Sequence, residues 1–346
     1  MAEILGIGTT DFPMARMSDD HFTRVLRQAL DTDKVKPELR DPANWPEGMR
    51  EEWGDDQGRT SARAAREYLT GQFSKLTSAL DDFKPDFILV WSKDAGESLK
   101  NFSRPKFWVQ AHDAVDIKPY TQFGAKDNYF GEDPDKVVTV KGHPEGAGHL
   151  IKGLQQAGFD PAYSTEPFHQ GGLAHTFQGV ITHLDWERRE YKTPVVPVSI
   201  DPFGSRLRVP EGMSPRTADD ILPLTSQRAF DLGRATARVL RDSPWRVALV
   251  AGTGWSHTQN TSWEHSWVHP DREADVRRHE EWAANKFDTW HDWSFDDMEE
   301  HGQWEHLCWI ALAGAMTELG AKIAYSDLRL QWTPPSEWVN SIFTVV

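Results

Sequence analysis

Cysteine is nearly absent from this sequence, with Cys308 the single thiol among 346 residues. One thiol can form neither an intramolecular disulfide nor a thiolate metal cluster, so nothing points to an oxidising compartment. No stretch approaches the roughly 20 apolar residues of a membrane span, and the N-terminus lacks the basic and apolar parts of an export signal. We therefore expect a cytoplasmic protein that does not enter a membrane.

Positive charge is also scarce. The chain carries 38 Lys and Arg residues against 53 Asp and Glu residues, which gives a formal net charge of −15. The resulting field repels phosphate backbones, and no run of basic residues of the kind found in nucleic-acid-binding proteins occurs. Nucleic acid is therefore not expected as a partner, whereas 38% hydrophobic and 26% charged residues are typical of a folded protein.

Tryptophan, by contrast, is abundant. Sixteen residues are present, many of them in C-terminal segments such as WEHSWVHP (263–270) and FDTWHDWSFDD (287–297). Large rings with one N–H donor commonly pack in the core, and this is the favoured interpretation. The alternative is that they form the wall of a pocket for a flat aromatic ligand.

Strand-like and helix-like segments alternate along the chain. Short apolar runs follow residue 3 and occur at 85–91, 137–141, 194–200 and 246–251, whereas helical periodicity or helix-end signals mark 18–32, 61–83, 143–160, 225–241 and 302–316. This order predicts an α/β fold, with one domain over 1–346 and a central mostly parallel or mixed sheet flanked by helices. Residues 33–60, which are rich in Pro, Gly and Trp, are predicted to form a lid or arm.

Polar residues of interest follow several of the predicted strands, where sites in α/β sheets gather. Asp11 follows the first strand, and His257 ends the turn GTGWSH (252–257) after another. We expect the tight turn to leave His257 projecting over the sheet edge with a nearly normal pKa, which suits a general base at neutral pH. The alternative is a loop histidine bonded to its own backbone, and the spacing alone does not decide between the two.

Two further features concern a carboxylate and a pair of histidines. Glu305 lies in the first turn of the apolar helix predicted after Gly302, where it either complements the helix dipole or binds a metal. His175 follows glycines in a predicted loop, whereas His183 lies in an apolar stretch that predicts a core position.

Taken together, these segments resemble the class III extradiol ring-cleavage dioxygenases, the family of the protocatechuate 4,5-dioxygenase β chain. The resemblance spans nearly the whole chain and is carried by residues 6–13 (GIGTTDFP), 84–99 (KPDFILVWSKDAGESL), 173–205, 247–258 (VALVAGTGWSHT) and 302–316 (GQWEHLCWIALAGAM). The last two are the most specific, because Glu-x-x-x-Trp followed by Gly-Ala is uncommon in other helices.

The resemblance implies a ring-opening enzyme with Fe(II) held by two His and one Glu, with open positions for a catecholate and dioxygen. In this sequence Glu305 matches the carboxylate ligand, His257 the base and His175 the pocket histidine. Neighbouring residues of the same turns are expected to bind the aromatic substrate, and these are Trp255, Ser256 and Phe12.

The sequence departs from the family at both histidine ligands. Asp11 occupies the first position and Ala95, which cannot coordinate a metal, lies at the second. The remaining Asp and Glu suit Mg, Ca or Mn better than an iron centre that needs imidazole. Three alternatives stay open: a shifted ligand such as Asp94, another divalent metal, or an ion pair of Lys93 with carboxylates that needs no metal.

Two functions follow from these observations. The first is an enzyme that keeps the pocket and acts on an aromatic or phenolic compound, either with a metal on Asp11 and Glu305 or by acid–base chemistry through His257 and His175. The second is a catalytically degenerate subunit that supports a homologous catalytic partner. We accordingly expect a homodimer or a hetero-oligomer with a homologous subunit.

Overall fold

The strands and helices are taken from a computed structural model, which describes residues 2–31, 35–94, 96–99, 103–121, 126–167, 172–204, 219–258, 268–334 and 336–346. The strands are β1 (Ile4–Thr9), β2 (Phe87–Ser92), β3 (Phe107–Gln110), β4 (Ala114–Ile117), β5 (Val138–Lys141), β6 (Ala162–Ser164), β7 (Val195–Ile200), β8 (Val247–Gly252), β9 (Ile323–Arg329) and β10 (Trp338–Phe343).

Helices connect these strands. The α-helices are α1 (Asp19–Phe22), α2 (Arg24–Leu30), α3 (Glu47–Trp53), α4 (Arg59–Phe83), α5 (Pro144–Gln156), α6 (His175–His183), α7 (Ser226–Arg241), α8 (Arg272–Ala283), α9 (Phe295–Glu300) and α10 (His306–Leu319). Short 3-10 helices lie at Pro13–Arg16, Pro37–Arg40, Pro42–Asn44 and Phe287–Asp292. Of the helices in the described part of the chain, none combines the length and the apolar character that crossing a membrane requires.

One eight-stranded mixed sheet, in the order β6–β3–β7–β2–β8–β1–β10–β9, forms the centre of the fold. Strands β7, β2, β8 and β1 run parallel, whereas β3 and β10 pair antiparallel with the outer members of this group. The prediction of a single-domain α/β fold with a mixed sheet is therefore confirmed. Because β1, β2 and β8 are adjacent and parallel, their carboxyl ends meet at one edge.

Helices cover both faces of this sheet because alternate strand residues point to opposite sides. In β2, Leu89 and Trp91 belong to the core that includes α5, α7 and α10, whereas Ile88 and Val90 belong to the core that includes α4 and α6. All six residues of β1, β2, β7 and β8 are buried. Their continuous apolar runs are thus typical of strands covered on both faces.

Some predicted elements differ in detail from the observed ones. The helix predicted over 18–32 is divided into α1 and α2. The strand predicted at 137–141 exists as β5, but it pairs with β4 in a two-stranded sheet that is separate from the central one. The last helix, predicted to start after Gly302, begins at His306 and has Glu305 as its N-cap residue. Such shifts of a few residues are expected where side-chain packing decides the boundary.

Helices α7 and α10 pack with almost no space between their backbones. A Cβ atom built on Gly314 lies 2.1 Å from the carbonyl oxygen of Phe230, and one on Gly233 lies 1.8 Å from that of Ala311. Backbone atoms cannot rotate away from such a collision. The glycines therefore set the distance between these two helices.

We expect Gly314→Ala to lower the free energy of unfolding by about 2–3 kcal/mol, because the methyl group forces α7 and α10 apart. The matched control is Gly148→Ala in α5, where an added Cβ meets no atom within 4 Å. That change is expected to be neutral or to stabilise the protein by about 0.5–1 kcal/mol. Urea unfolding of both variants measures the difference, and equal stabilities would contradict the packing argument.

Several tryptophan rings pack against one another in the core next to α10. Trp282 lies with its ring centroid 5.1 Å from that of Trp290 and 5.2 Å from that of Trp309, and Trp255 lies 5.5 Å from Trp309. All four side chains are fully buried. For these residues the structure favours the packing interpretation over a ligand-binding wall.

The predicted lid or arm, from residue 35 onward, packs against the body of the protein. Trp45, Met49 and Trp53 form a small core with Val268. The Glu52 carboxylate accepts hydrogen bonds from the backbone N–H groups of Trp332 (2.8 Å) and of residue 333 (2.9 Å). These contacts fix the position of the segment, while its role as a lid stays a prediction.

Candidate functional site

Three loops meet at the carboxyl ends of the central parallel strands. Asp11 lies two residues beyond β1, Lys93 directly follows β2, and Gly254 lies two residues beyond β8. Glu305, at the N-terminus of α10, faces the same place. The fold thus brings the side chains of Asp11, Lys93 and Glu305 together at the carboxyl-end edge of the sheet.

The centre of the site is a buried ammonium group between two carboxylates. Lys93 Nζ donates to Asp11 Oδ2 at 2.9 Å and to Glu305 Oε2 at 2.5 Å. The backbone N–H of Gly254 donates to the other oxygen of Asp11 at 3.0 Å. All three charged side chains are at most 8% exposed. We call this arrangement of Asp11, Lys93 and Glu305 the lysine-centred triad.

Small residues and hydroxyl groups hold the loops of the triad in place. Gly179 in α6 lies against the Asp11 backbone, where a Cβ would approach the carbonyl oxygen to 2.4 Å. Thr176 Oγ1 donates to the Lys93 carbonyl oxygen at 2.5 Å, and Thr253 Oγ1 donates to the Glu305 carbonyl oxygen at 3.0 Å. The geometry therefore depends on backbone positions that α6 and α10 impose.

Burial and mutual charge move the pKa values within the triad in different directions. Burial opposes the charged form of Lys93, but the two carboxylates outweigh it and raise the pKa of the amine. Burial also opposes ionised Asp11, yet the Lys93 charge more than compensates and lowers its pKa. For Glu305, burial together with the Asp11 charge dominates and raises the pKa. Of the two carboxyl groups of the triad, Glu305 is therefore the one that more readily takes up a proton.

His257 and His175 stand beside the triad, close enough to interact electrostatically with Asp11. Burial and the positive charge of Lys93 lower the pKa of His257 to about 3, so its imidazole is neutral. The prediction of a nearly normal pKa was therefore wrong, because burial of this partly exposed ring and the nearby Lys93 charge both disfavour the imidazolium form. His175 is oriented by Glu97, whose carboxylate contacts Nδ1 and accepts from the His175 backbone N–H at 2.8 Å.

The other predicted site residues lie apart from the triad or are enclosed. Asp94 accepts hydrogen bonds from the backbone N–H groups of Glu97 and of residues 98 and 99, which closes a turn, and its role as a shifted metal ligand stays a prediction. Phe12 packs on Phe22 and Trp338. These contacts support neither a substrate-binding role for Phe12 nor a metal-binding role for Asp94.

Trp255 and Ser256, expected to bind substrate, are fully buried. Trp255 packs among the buried tryptophan rings next to α10. Ser256 Oγ donates to Asp275 Oδ2 at 2.6 Å. In this conformation both residues face the protein interior, and their substrate-binding role stays a prediction. His183 was predicted as a core residue, and this is confirmed by its full burial and by a 2.9 Å contact of Nδ1 with the Thr10 carbonyl oxygen.

Two buried acids behind the His257 turn carry shifted pKa values. Asp275 accepts from Ser256 N–H, Ser256 Oγ and Gln303 Nε2, but burial dominates and raises its pKa to about 7. Burial and the nearby Asp275 raise the pKa of Glu337 well above the usual range, although Arg272 lies 3.5 Å from it. These residues hold the turn rather than face the triad.

Iron does not fit this set of residues. The space between Asp11 and Glu305 is held by the Lys93 ammonium group, and an ammonium and a divalent cation cannot share it. Within the described ranges no group of three His, Cys, Asp or Glu residues is arranged to hold a metal ion. Ala95, which corresponds to the second histidine ligand of the extradiol dioxygenases that the sequence resembles, lies outside the described residues. The ion-pair alternative is the one that the geometry supports.

Sequence reasoning missed Asp275, Glu97 and Glu337. All three act through bonds to residues distant in sequence, such as Asp275 to Gln303 and Glu97 to His175. The only available signal was the presence of acids in segments of mixed polarity, which does not distinguish a buried acid from an exposed one.

No protein-family model matches this chain, and no curated protein matches it significantly. The similarity to extradiol dioxygenases therefore depends on the quoted motifs alone. What the protein does has to be argued from the lysine-centred triad and the histidines beside it.

Proposed function

We propose that this protein is an enzyme that binds a small phenolic or catechol-like compound at the triad and acts on it by proton transfer, without iron. The observation that carries the proposal is the buried Lys93 ammonium group between Asp11 and Glu305, next to neutral His257. Buried groups whose pKa values are moved apart are typical of acid–base sites. The cytoplasm is the compartment that we propose for it, since its one cysteine is a buried free thiol.

The residues have distinct roles in this proposal. Neutral His257 accepts the proton of a phenolic hydroxyl, and the Lys93 charge stabilises the phenolate that forms. The negative phenolate in turn offsets the Lys93 charge that lowers the pKa of His257 in the free protein. Glu305, whose pKa is raised, receives the proton taken from the hydroxyl and passes it to a ring carbon, so that His257 and Glu305 both return to their starting states. His175, oriented by Glu97, contacts the second hydroxyl of a catechol. The net step moves one proton from oxygen to carbon, so no oxidant is required.

Binding is tested with 4-nitrocatechol, whose colour reports its ionisation. We expect the purified protein to bind it as the anion, so that the dye ionises at lower pH than in buffer, and Lys93→Met to abolish this shift. The matched control is His149→Gln, a histidine on α5 that contacts the Val239 carbonyl oxygen far from the triad. A dye that titrates as in buffer, or one that Lys93→Met leaves unchanged, would contradict the proposal.

Catalysis is tested by NMR in D₂O, as exchange of ring hydrogens of catechol for deuterium. We expect exchange to be accelerated by the protein and reduced about 10²–10⁴-fold in His257→Gln, because a positioned base contributes that much to proton transfer. Metal analysis accompanies the assay. Stoichiometric iron together with a coloured ring-opened product would show that the protein is a conventional ring-cleaving dioxygenase instead.

The second candidate is a degenerate subunit that supports a homologous catalytic partner. The observation in its favour is that Lys93 satisfies both carboxylates internally, as expected of a metal site converted into a structural ion pair. Purification of the native protein separates the two functions. A stable complex with an iron-containing homologue, together with an isolated chain that neither binds nitrocatechol nor exchanges protons, would favour the subunit.

A further inference from the structure

The turn that carries His257 is attached to the rest of the protein at both of its ends. At its start, the backbone N–H of Gly254 donates to Asp11, a member of the triad. At its other end, the backbone N–H of His257 donates to the Gly302 carbonyl oxygen at 3.0 Å. Ser256, the residue before His257, bonds to α8 instead. The two ends of the turn therefore depend on different parts of the structure.

The contact with α8 comes from Asp275, whose carboxyl group is fully buried. Ser256 Oγ donates to Asp275 Oδ2 at 2.6 Å, and the Ser256 backbone N–H donates to the same oxygen at 3.0 Å. Gln303 Nε2, from the loop before α10, donates to Asp275 Oδ1 at 2.6 Å. Asp275 thus joins the two residues that flank the hydrogen bond between His257 and Gly302.

The backbone contacts between this turn and the start of β10 are longer. The Trp255 N–H donates to the Glu337 carbonyl oxygen at 3.2 Å, and the Glu337 N–H donates to the Ser256 carbonyl oxygen at 3.4 Å. These distances lie at or beyond the upper end of the usual range for N–H donors. The short bonds to Asp275 are therefore expected to fix the end of the turn that carries His257.

We propose that Asp275 is the positioning residue of His257, which it holds through Ser256 at the place from which the imidazole takes a proton. The inference rests on the proposed function, in which His257 is the base. The described hydrogen bonds of the Asp275 carboxyl group run to Ser256 and Gln303 and not to the triad. Loss of Asp275 is therefore expected to impair proton transfer and to spare ligand binding by Lys93.

Asp275→Ala is expected to lower the rate of catechol ring-hydrogen exchange about 10²-fold, because displacing a catalytic group by about 1 Å has an effect of that size. The shift in 4-nitrocatechol ionisation is expected to persist, since the triad keeps its own contacts. The matched control is Glu280→Ala, an exposed carboxylate on the same helix, which is expected to retain both properties. An equal loss of dye binding and exchange in Asp275→Ala would mark a merely structural role and overturn the proposal.

The conservative variant Asp275→Asn is expected to restore exchange to nearly the wild-type rate. Asparagine keeps one oxygen that accepts from Ser256. Its amide N–H can donate to Gln303 Oε1 once the Gln303 amide turns over, because this buried oxygen has no hydrogen-bond partner among the described residues. A rate as low as that of Asp275→Ala would overturn the proposal, since it would show that these hydrogen bonds do not position His257.

A measurement without catechol separates the positioning of His257 from the proposed function. Diethyl pyrocarbonate modifies neutral imidazole, and mass spectrometry of the peptides gives the rate at His257, which is partly buried. We expect this rate to rise severalfold in Asp275→Ala, because the turn no longer holds the ring, and to stay at the wild-type value in Asp275→Asn and Glu280→Ala. Ser256→Ala, which removes only the hydroxyl bond, is expected to raise it less and replaces Asp275→Ala if that variant does not fold.

The two readouts fail in different ways. A wild type that exchanges no ring hydrogens, together with faster modification of His257 in Asp275→Ala, would overturn the proposed function and leave Asp275 as the residue that holds His257. Equal modification of His257 in the wild type, Asp275→Ala and Ser256→Ala would overturn the positioning role, whether or not the wild type exchanges ring hydrogens.

Discussion

Lys93→Met is expected to lower the free energy of unfolding by about 3–5 kcal/mol at pH 8, because it leaves two buried carboxylates without their cation. Lys93 Nζ is the group that donates to both Asp11 Oδ2 and Glu305 Oε2. Methionine has a similar length, so the loss reports charge rather than volume. Urea unfolding followed by tryptophan fluorescence measures the difference from the wild type.

The deficit of Lys93→Met is expected to shrink as the pH falls. Without the ammonium group, burial raises the pKa of both Asp11 and Glu305 above their values in the unfolded chain. An acid with a raised native pKa takes up a proton on folding, so its native state gains stability at low pH and loses it as the pH rises. Unfolding curves at pH 5 and pH 8 compare the two conditions.

Two further variants separate charge from fold. The triple variant Asp11→Asn, Lys93→Met, Glu305→Gln removes every charge of the triad and is expected to recover much of the lost stability. Lys152→Met on the exposed face of α5 is expected to change stability by less than about 0.5 kcal/mol. A loss below about 1 kcal/mol in Lys93→Met would show that the triad is not a tight ion pair.

Asp275→Asn is expected to flatten the pH dependence of stability between pH 4 and pH 7. Burial raises the native pKa of Asp275 from 3.8 to about 7, so over that interval the folded protein holds a proton that the unfolded chain has released. The contribution of Asp275 to the free energy of unfolding is therefore fully present below pH 4. It is lost as the pH rises towards 7, by up to about 1.4 kcal/mol per pH unit. Asparagine has no proton to lose.

The measurement is the free energy of unfolding at half-unit pH intervals in the wild type and in Asp275→Asn. Only the difference in slope is interpreted, because any constant cost of the amide cancels. Asp288→Asn, an exposed position in the 3-10 helix Phe287–Asp292, is the control and is expected to keep the wild-type slope. Parallel curves for the wild type and Asp275→Asn would mean that Asp275 is ionised in the folded protein at pH 5.

Much of the fold could be predicted from local pattern. Continuous apolar runs marked β2, β7 and β8, and helical spacing marked α4, because both signals arise from burial against neighbouring layers. The split of 18–32 into α1 and α2 and the separate β4–β5 sheet could not be predicted, since they depend on contacts between distant segments.

The site was partly predictable for the same reason. Parallel order places the ends of β1, β2 and β8 together, so Asp11 and His257, which follow two of these strands, could be assigned to one edge of the sheet. The low pKa of His257 was not expected, because it results from enclosure by other segments and from the charge of Lys93. The spacing of residues along the sequence carries no information on the burial of His257 or on the position of the Lys93 charge.

Local composition and periodicity determined the α/β class, the order of the central elements and the strand ends at which Asp11, Lys93 and Gly254 lie. Only the tertiary structure decided that Lys93 turns between Asp11 and Glu305, that Asp94 closes a turn and that Asp275 is buried. The physical reason is the distance along the sequence over which each kind of interaction acts. Periodicity reflects which face of one element is buried, whereas an ion pair between residues 11, 93 and 305 depends on the packing of three loops and a helix that are far apart in sequence.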